Sequence, residues 1–151
     1  MYERIVVALD GSDPAEEALR HGEELARLTG APLHLVRVAD VTVFHFAVND
    51  AAAAYAALSD DLAREEREAG DYLEGVRARL GERGITASTE VRRGLAGQVL
   101  VELTRPGDLL VLASHGRTGI RRWLLGEVAE EITRHAAAPV LLVRAAPSPD
   151  D

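Results

Sequence analysis

Apolar, mostly β-branched segments alternate along the chain with segments whose apolar residues return every three or four positions. Arg4 to Leu9 (RIVVAL), Leu109 to Ser114 (LLVLAS) and Val140 to Val143 (VLLV) are almost continuously apolar. Strands covered on both faces read this way, as in parallel sheets flanked by helices. Pro32 to Val38 (PLHLVRV) is a further strand candidate, and Thr86 to Val91 (TASTEV) a more polar one.

Between the strands the period changes to that of a helix. Ala15, Ala18, Leu19, Gly22, Leu25 and Ala26 share one helical face. Asp13 suits the N-cap of that helix, Pro14 its first position, Glu16 a capping-box spacing and Gly30 its end. A charged second helix is predicted from about Ser59 to Leu80, stopped at Gly81 or Gly84, with Leu62, Tyr72, Leu73, Val76 and Leu80 inward. A third runs from about Leu95 to Thr104, before Pro106 and Gly107, and a fourth from Gly126 to about Ala137, before Pro139. Val41 to Ala57 fits neither period and predicts a mobile flap or an early extension of the second helix.

The order β-α-β-α-β-α-β-α-β implies one α/β domain over residues 1–145, a parallel five-stranded sheet with right-handed crossovers. Residues 146–151 (APSPDD) read as a disordered tail.

Charge and composition narrow the chemistry. The net charge of −8 argues against nonspecific nucleic-acid binding, which depends on neutralising phosphates. All 17 basic residues are Arg. Without Lys there is no Walker A loop, no kinase strand lysine and no Schiff base. Without Cys there is no disulfide, thiolate nucleophile or Cys-ligated metal. No apolar run reaches the roughly 18 residues of a membrane span. The N-terminus MYERIVVALDG reads as a strand rather than a leader, which makes the cytoplasm the expected compartment.

In an open parallel sheet, ligands bind beyond the carboxyl ends of the strands, where the strand order reverses. Three segments converge there. Ala8 to Asp13 ends the first strand, and Asp10 can accept from ribose hydroxyls or hold a phosphate-borne metal; equally, Asp10 and Ser12 can simply organise the turn. Val36 to Val38 ends the second strand and can offer main-chain groups to the edge of a base, although its side chains say nothing. Ala113 to Ala129 leaves the fourth strand through a glycine-bearing loop and re-enters a helix at Gly126. Such a loop leaves main-chain N–H groups open to an anion, with Arg117, Arg121 and Arg122 adding positive potential.

At this last segment the chain resembles the universal stress protein family. The likeness starts at IVVALDGS (Ile5 to Ser12), continues through VRRGLAGQVLVEL (Val91 to Leu103) and is strongest across Asp108 to Val143. It implies a Rossmann-like, doubly wound sheet of order 3-2-1-4-5 with helices on both faces. It also implies a homodimer, often paired through the last strand, here Val140 to Val143. Members that bind ATP carry Gly-x-x-Gly, nine residues, then Gly with Ser or Thr. Carried over, Ala113 stands at the first glycine, Gly116 at the second and Gly126 at the third, with nine residues, Arg117 to Leu125, between the last two. The implied nucleotide contacts are Ala8, Asp10, Val38, Ala113, His115, Gly116, Arg117, Gly126, Glu127 and Val128.

Two positions depart from that pattern. Ala113 adds a methyl group. Glu127 replaces the hydroxyl residue, and a carboxylate accepts where a hydroxyl can donate. Glu127 can repel a triphosphate, turn aside to favour the helix N-terminus, or fill the anion site itself. The expectation is therefore a regulatory stress-response protein that binds ATP, with Mg2+ where the phosphates carry it. The alternative is a nucleotide-free dimeric interaction module. A dedicated enzyme is not expected: Ser114 and His115 leave a strand toward different sides, and no Gly-x-Ser-x-Gly elbow is present. His21, His34, His45, His115 and His135 show no metal-ligand spacing. Trp123 reads as a packing residue and Asp60 to Glu68 as a solvated helix face.

Overall fold

A computed structural model describes residues 1–40, 51–114 and 126–144. The elements are β1 (Arg4–Ala8), α1 (Asp13–Thr29), β2 (Leu33–Asp40), α2 (Ala51–Glu82), β3 (Ala87–Gly94), α3 (Ala96–Leu103), β4 (Asp108–Ala113), α4 (Glu127–His135) and β5 (Val140–Val143). All four strand pairs are parallel, and the sheet order is β3-β2-β1-β4-β5.

The near-continuous apolar strands are explained by two separate cores. Alternate residues of a strand point to opposite faces. Ile5, Val7, Leu33, Leu35, Leu109 and Val111 pack with Ala15, Ala18, Leu19, Leu73, Val76 and Leu80 of α1 and α2. Val6, Val36, Leu110 and Leu112 pack with Leu100, Leu103, Ala129 and Ile132 of α3 and α4. The sheet is thus doubly wound. The chain moves from β1 outward to β3, then returns to β4 beside β1, so the strand order reverses between β1 and β4.

Several boundaries differ from the sequence reading for local reasons. Ser12, not Asp13, caps α1: its backbone is extended and its hydroxyl accepts from the Ala15 N–H at 3.3 Å. Asp13 and Pro14 therefore begin the helix, and Gly30 ends it in the left-handed conformation. The second helix starts at Ala51, because the run from Ala51 to Ala57 favours a helix, so the early-extension alternative holds there. Val41 to Asp50 and the tail lie outside the described residues. β3 extends to Gly94, held by register with β2 as far as Asp40. Its polar sequence fits an edge strand that is half-buried at most.

The amino ends of β1 and β4 are locked by a charged pair. Arg4 Nε donates to Asp108 Oδ1 at 3.0 Å and Arg4 Nη2 to Oδ2 at 2.6 Å, while the Arg105 N–H donates to Oδ2 at 2.9 Å. Burial pushes the Asp108 carboxyl up, but the Arg4 guanidinium and the Arg105 amide hold it below its ordinary value.

Candidate functional site

β1 and β4 end at Ala8 and Ala113, and β2 runs on past Val38 to Asp40. The ladder between β1 and β2 closes at Ala8 opposite Val36, with one further bond from the Leu9 N–H to the Val36 carbonyl at 2.8 Å. In a parallel ladder, N–H and C=O of alternate residues point to the same neighbour. Val38 therefore directs both main-chain groups toward β1, beyond the point where β1 has turned away. This is the edge that the sequence reading offered to a base.

Asp10 sits in the turn that follows β1. Its Oδ1 accepts from the Ser12 N–H at 2.9 Å and from the Ser12 hydroxyl at 2.5 Å. The turn-organising role is thus real, and Ser12 passes it on by capping α1. Gly11 has φ of 83°, a left-handed conformation that a side chain would strain.

Gly126 stands at the N-cap of α4, and its N–H donates to the Ser114 carbonyl at 3.1 Å. A Cβ there would lie 3.2 Å from that same oxygen, so glycine lets the exit of β4 and the start of α4 meet. The sequence reading had placed an open N–H at Gly126; that donor is instead spent on Ser114. Among the described residues no side chain caps α4, and the first-turn amides of Glu127, Val128 and Ala129 are the donors at this helix end. Glu127 is exposed, and among the described residues it makes no hydrogen bond or ion pair. It does not fold back over those amides as a substitute anion. His115, Gly116 and Arg117 lie outside the described residues.

The family profile for universal stress proteins matches residues 1–144. The chain belongs to the universal stress protein family. It is 34% identical over 146 residues to a universal stress protein of Methanocaldococcus jannaschii, covering 95% of this chain and 83% of that protein. The universal stress protein UspA from Lactobacillus plantarum superposes with a TM-score of 0.83 at 24% identity, over 95% of this chain and 98% of that one. A universal stress protein solved in complex with cAMP gives a TM-score of 0.60 at 26% identity, over 94% and 97% of the two chains. The sheet order implied by the family likeness is the order observed.

Within this universal stress protein, the sequence reading missed a buried cluster behind the Asp10 turn. Arg37 lies on β2 and is 7% exposed. Its guanidinium is centred 5.2 Å from the Tyr72 ring and pairs with Glu65 at 3.5 Å. Tyr72 donates its hydroxyl to Glu16 at 2.5 Å. Burial, then the Glu16 carboxylate, raises the Tyr72 phenol above its ordinary value. Two features signalled this cluster: an Arg inside the apolar run PLHLVRV, and a Tyr on the inner face of α2. Asp60 to Glu68 is correspondingly more than a solvated face, since Glu65 holds Arg37, Glu66 pairs with Arg93, and Leu62 is buried.

A second polar group lies on the opposite face of the sheet, nearer its amino end. His34 Nε2 meets Glu90 Oε2 at 2.8 Å and His34 Nδ1 meets Ser88 Oγ at 2.8 Å. Burial pushes the Glu90 carboxyl up, but Arg92 and His34 hold it below its ordinary value. The alignment of hydroxyl, imidazole and carboxylate resembles a nucleophile with its base. However, Ser88 and its even-numbered neighbours direct their main-chain groups into the β2 ladder, as the Leu33 N–H bond to the Thr86 carbonyl shows. Those amides are not available to stabilise an oxyanion, which is ordinarily the largest catalytic contribution. The cluster accounts for a buried histidine with both nitrogens satisfied. No group of three metal-ligating side chains occurs among the described residues.

Proposed function

We propose that this universal stress protein binds an adenine nucleotide, ATP in the first instance, and acts as a binding and sensing module rather than a dedicated enzyme. The observation that carries the reading is the start of α4, which no side chain caps among the described residues, at the same carboxyl end of the sheet as the outward main chain of Val38 and the Asp10 turn. Helix N-termini attract phosphate through spare amides and the helix dipole. The close approach of Gly126 to Ser114 fits the glycine-bearing cradle expected there. In this reading Val38 faces the base, Asp10 the ribose, and Glu127, Val128 and Ala129 offer their amides to phosphate. Ala8 and Ala113 form the floor. Mg2+, where present, would travel with the phosphates. A related universal stress protein has been solved in complex with cAMP, which supports an adenine nucleotide as the ligand class.

Assembly belongs to the same proposal. The Pro139 and Val143 carbonyls accept from Leu110 and Ser114, so Val140 and Leu142 direct their main-chain groups outward. We propose that this apolar edge pairs with a second copy in a homodimer, and that the protein works in the cytoplasm. Among the described residues, no helix is long and apolar enough to cross a membrane.

Isothermal titration of the purified chain with ATP, AMP and cAMP tests the ligand. Saturable binding of at least one nucleotide at micromolar to millimolar concentration is expected. Absence of heat and of any thermal shift at millimolar nucleotide would favour the interaction-module alternative, for which the exposed Glu127 carboxylate is the structural argument.

A further inference from the structure

We propose that Arg37 is the positioning residue of the Asp10–Ser12 turn, and through that turn sets the preference of the site for a ribose. The second half of the proposal rests on the nucleotide reading; the first does not. Arg37 is nearly as buried as the leucines around it, and burying a guanidinium is costly where an apolar side chain of similar volume would pack as well. Its place is therefore explained by what the guanidinium touches.

It touches two structures. On one side are Tyr72 and Glu65 of α2. On the other is the turn itself: Arg37 Nη1 lies 3.3 Å from where a Cβ on Gly11 would stand. The guanidinium thus fills the space behind Gly11, while Asp10 and Ser12, joined to each other, flank it in sequence. A flat, polar, donor-rich group suits this position because it can lie against main chain and stack on an aromatic ring at once. Tyr72 is in turn fixed through its hydroxyl to Glu16 in the first turn of α1. The turn is consequently backed from β2 at Gly11, and the helix it leads into is held from α2 at Glu16. Removing the guanidinium leaves the turn unsupported on the side away from the cleft. The main chain that carries Asp10 and Ser12 then loses its backing at Gly11.

Hydrogen exchange and titration of wild type, Arg37→Met and Arg37→Lys test this together. Met matches the length of the buried stem without the fork; Lys restores the charge without it. In the ligand-free protein, the Ser12 amide of Arg37→Met should lose protection by about tenfold, roughly the worth of one net hydrogen bond. The amides of Leu109 to Leu112 should stay unchanged. Arg37→Lys should recover little of the loss. In the titration arm, AMP and dAMP are compared, and the preference of wild type for one over the other should shrink toward unity in Arg37→Met. Unchanged protection at Ser12 in a folded Arg37→Met overturns the positioning role whatever the ligand does. An unchanged AMP-to-dAMP ratio, with wild type binding both, overturns the ribose part. A wild type that binds neither overturns the nucleotide reading, and the exchange result then decides the positioning role alone.

Discussion

Replacing Glu127 by Ser isolates the residue on which nucleotide affinity should turn. Glu127 is the first residue of α4; its own amide is one of the donors at the helix end, while its carboxylate is exposed beside them. A phosphate held by the first-turn amides would stand roughly 5–8 Å from that carboxylate. In water-like surroundings each unit of charge then costs about 0.5–0.8 kcal/mol, and a low interior dielectric is not appropriate for an exposed group. Summed over a triphosphate whose outer charges lie progressively farther away, the penalty is about 1–2 kcal/mol, or roughly five- to thirty-fold in affinity. Glu127→Ser should therefore tighten ATP by that factor, AMP by less, and adenosine hardly at all. The gain should fade at 1 M salt, where the screening length is only about 3 Å. Titration calorimetry with the three ligands at low and high salt reads all of this. Equal gains for adenosine and ATP, or a gain indifferent to salt, would show that Ser acts through a new hydrogen bond or a local rearrangement, and the repulsion argument would be wrong.

Other consequences follow from the same geometry. Asp108→Asn should cost about 2–4 kcal/mol at neutral pH, because it weakens a buried, doubly hydrogen-bonded pair with Arg4, and should lower the melting temperature by roughly 5–15 °C. Since the folded Asp108 carboxyl sits below its unfolded value of 3.8, the wild-type advantage is complete above that pH and is lost as pH falls through the folded value; melts from pH 7 down to 2 should show the two proteins converging. Gly22→Ala should destabilise by about 1–3 kcal/mol in chemical denaturation despite the better helix propensity of Ala, because the new Cβ would lie 2.8 Å from Val7 Cγ2 in the buried core. Val140→Pro should shift sedimentation from dimer to monomer, since it removes a main-chain N–H that faces outward from β5 and takes no part in the ladder with β4.

The parts of the fold that were legible in the sequence are those fixed by periodicity and by local chemistry. Val6 and Val7 show why: one faces α3 and α4, the other α1 and α2, so both must be apolar and the run announces a buried parallel strand. Boundaries slipped where a neighbouring residue could take the same part. Ser12 and Asp13 are both competent caps, and only the geometry of the Ala15 amide selects Ser12. β3 was read short because an edge strand needs few apolar residues, and its length is set by β2 rather than by itself. Arg37 was illegible for a different reason. Its significance depends on Gly11 and Tyr72, far off in sequence, arriving on either side of one guanidinium.

The start of α4 shows how spacing and chemistry separate. The count of residues from Gly116 singled out Gly126, where main chain comes close to main chain. It did not say to what. The Gly126 amide turns out to hold the Ser114 carbonyl, so the glycine shapes the helix start without serving the anion. On the proposed reading the donor role passes to the next three amides, the first of which belongs to Glu127. One residue thereby brings an attractive main-chain group and a repulsive side chain to the same place. Its effect on an anion is a difference between two terms of similar size, the dipole and amide contribution against the exposed carboxylate. On the proposed nucleotide reading, a carboxylate at this position should therefore weaken phosphate binding in a graded, salt-sensitive way rather than abolish it, with the charge on the ligand deciding how much is lost.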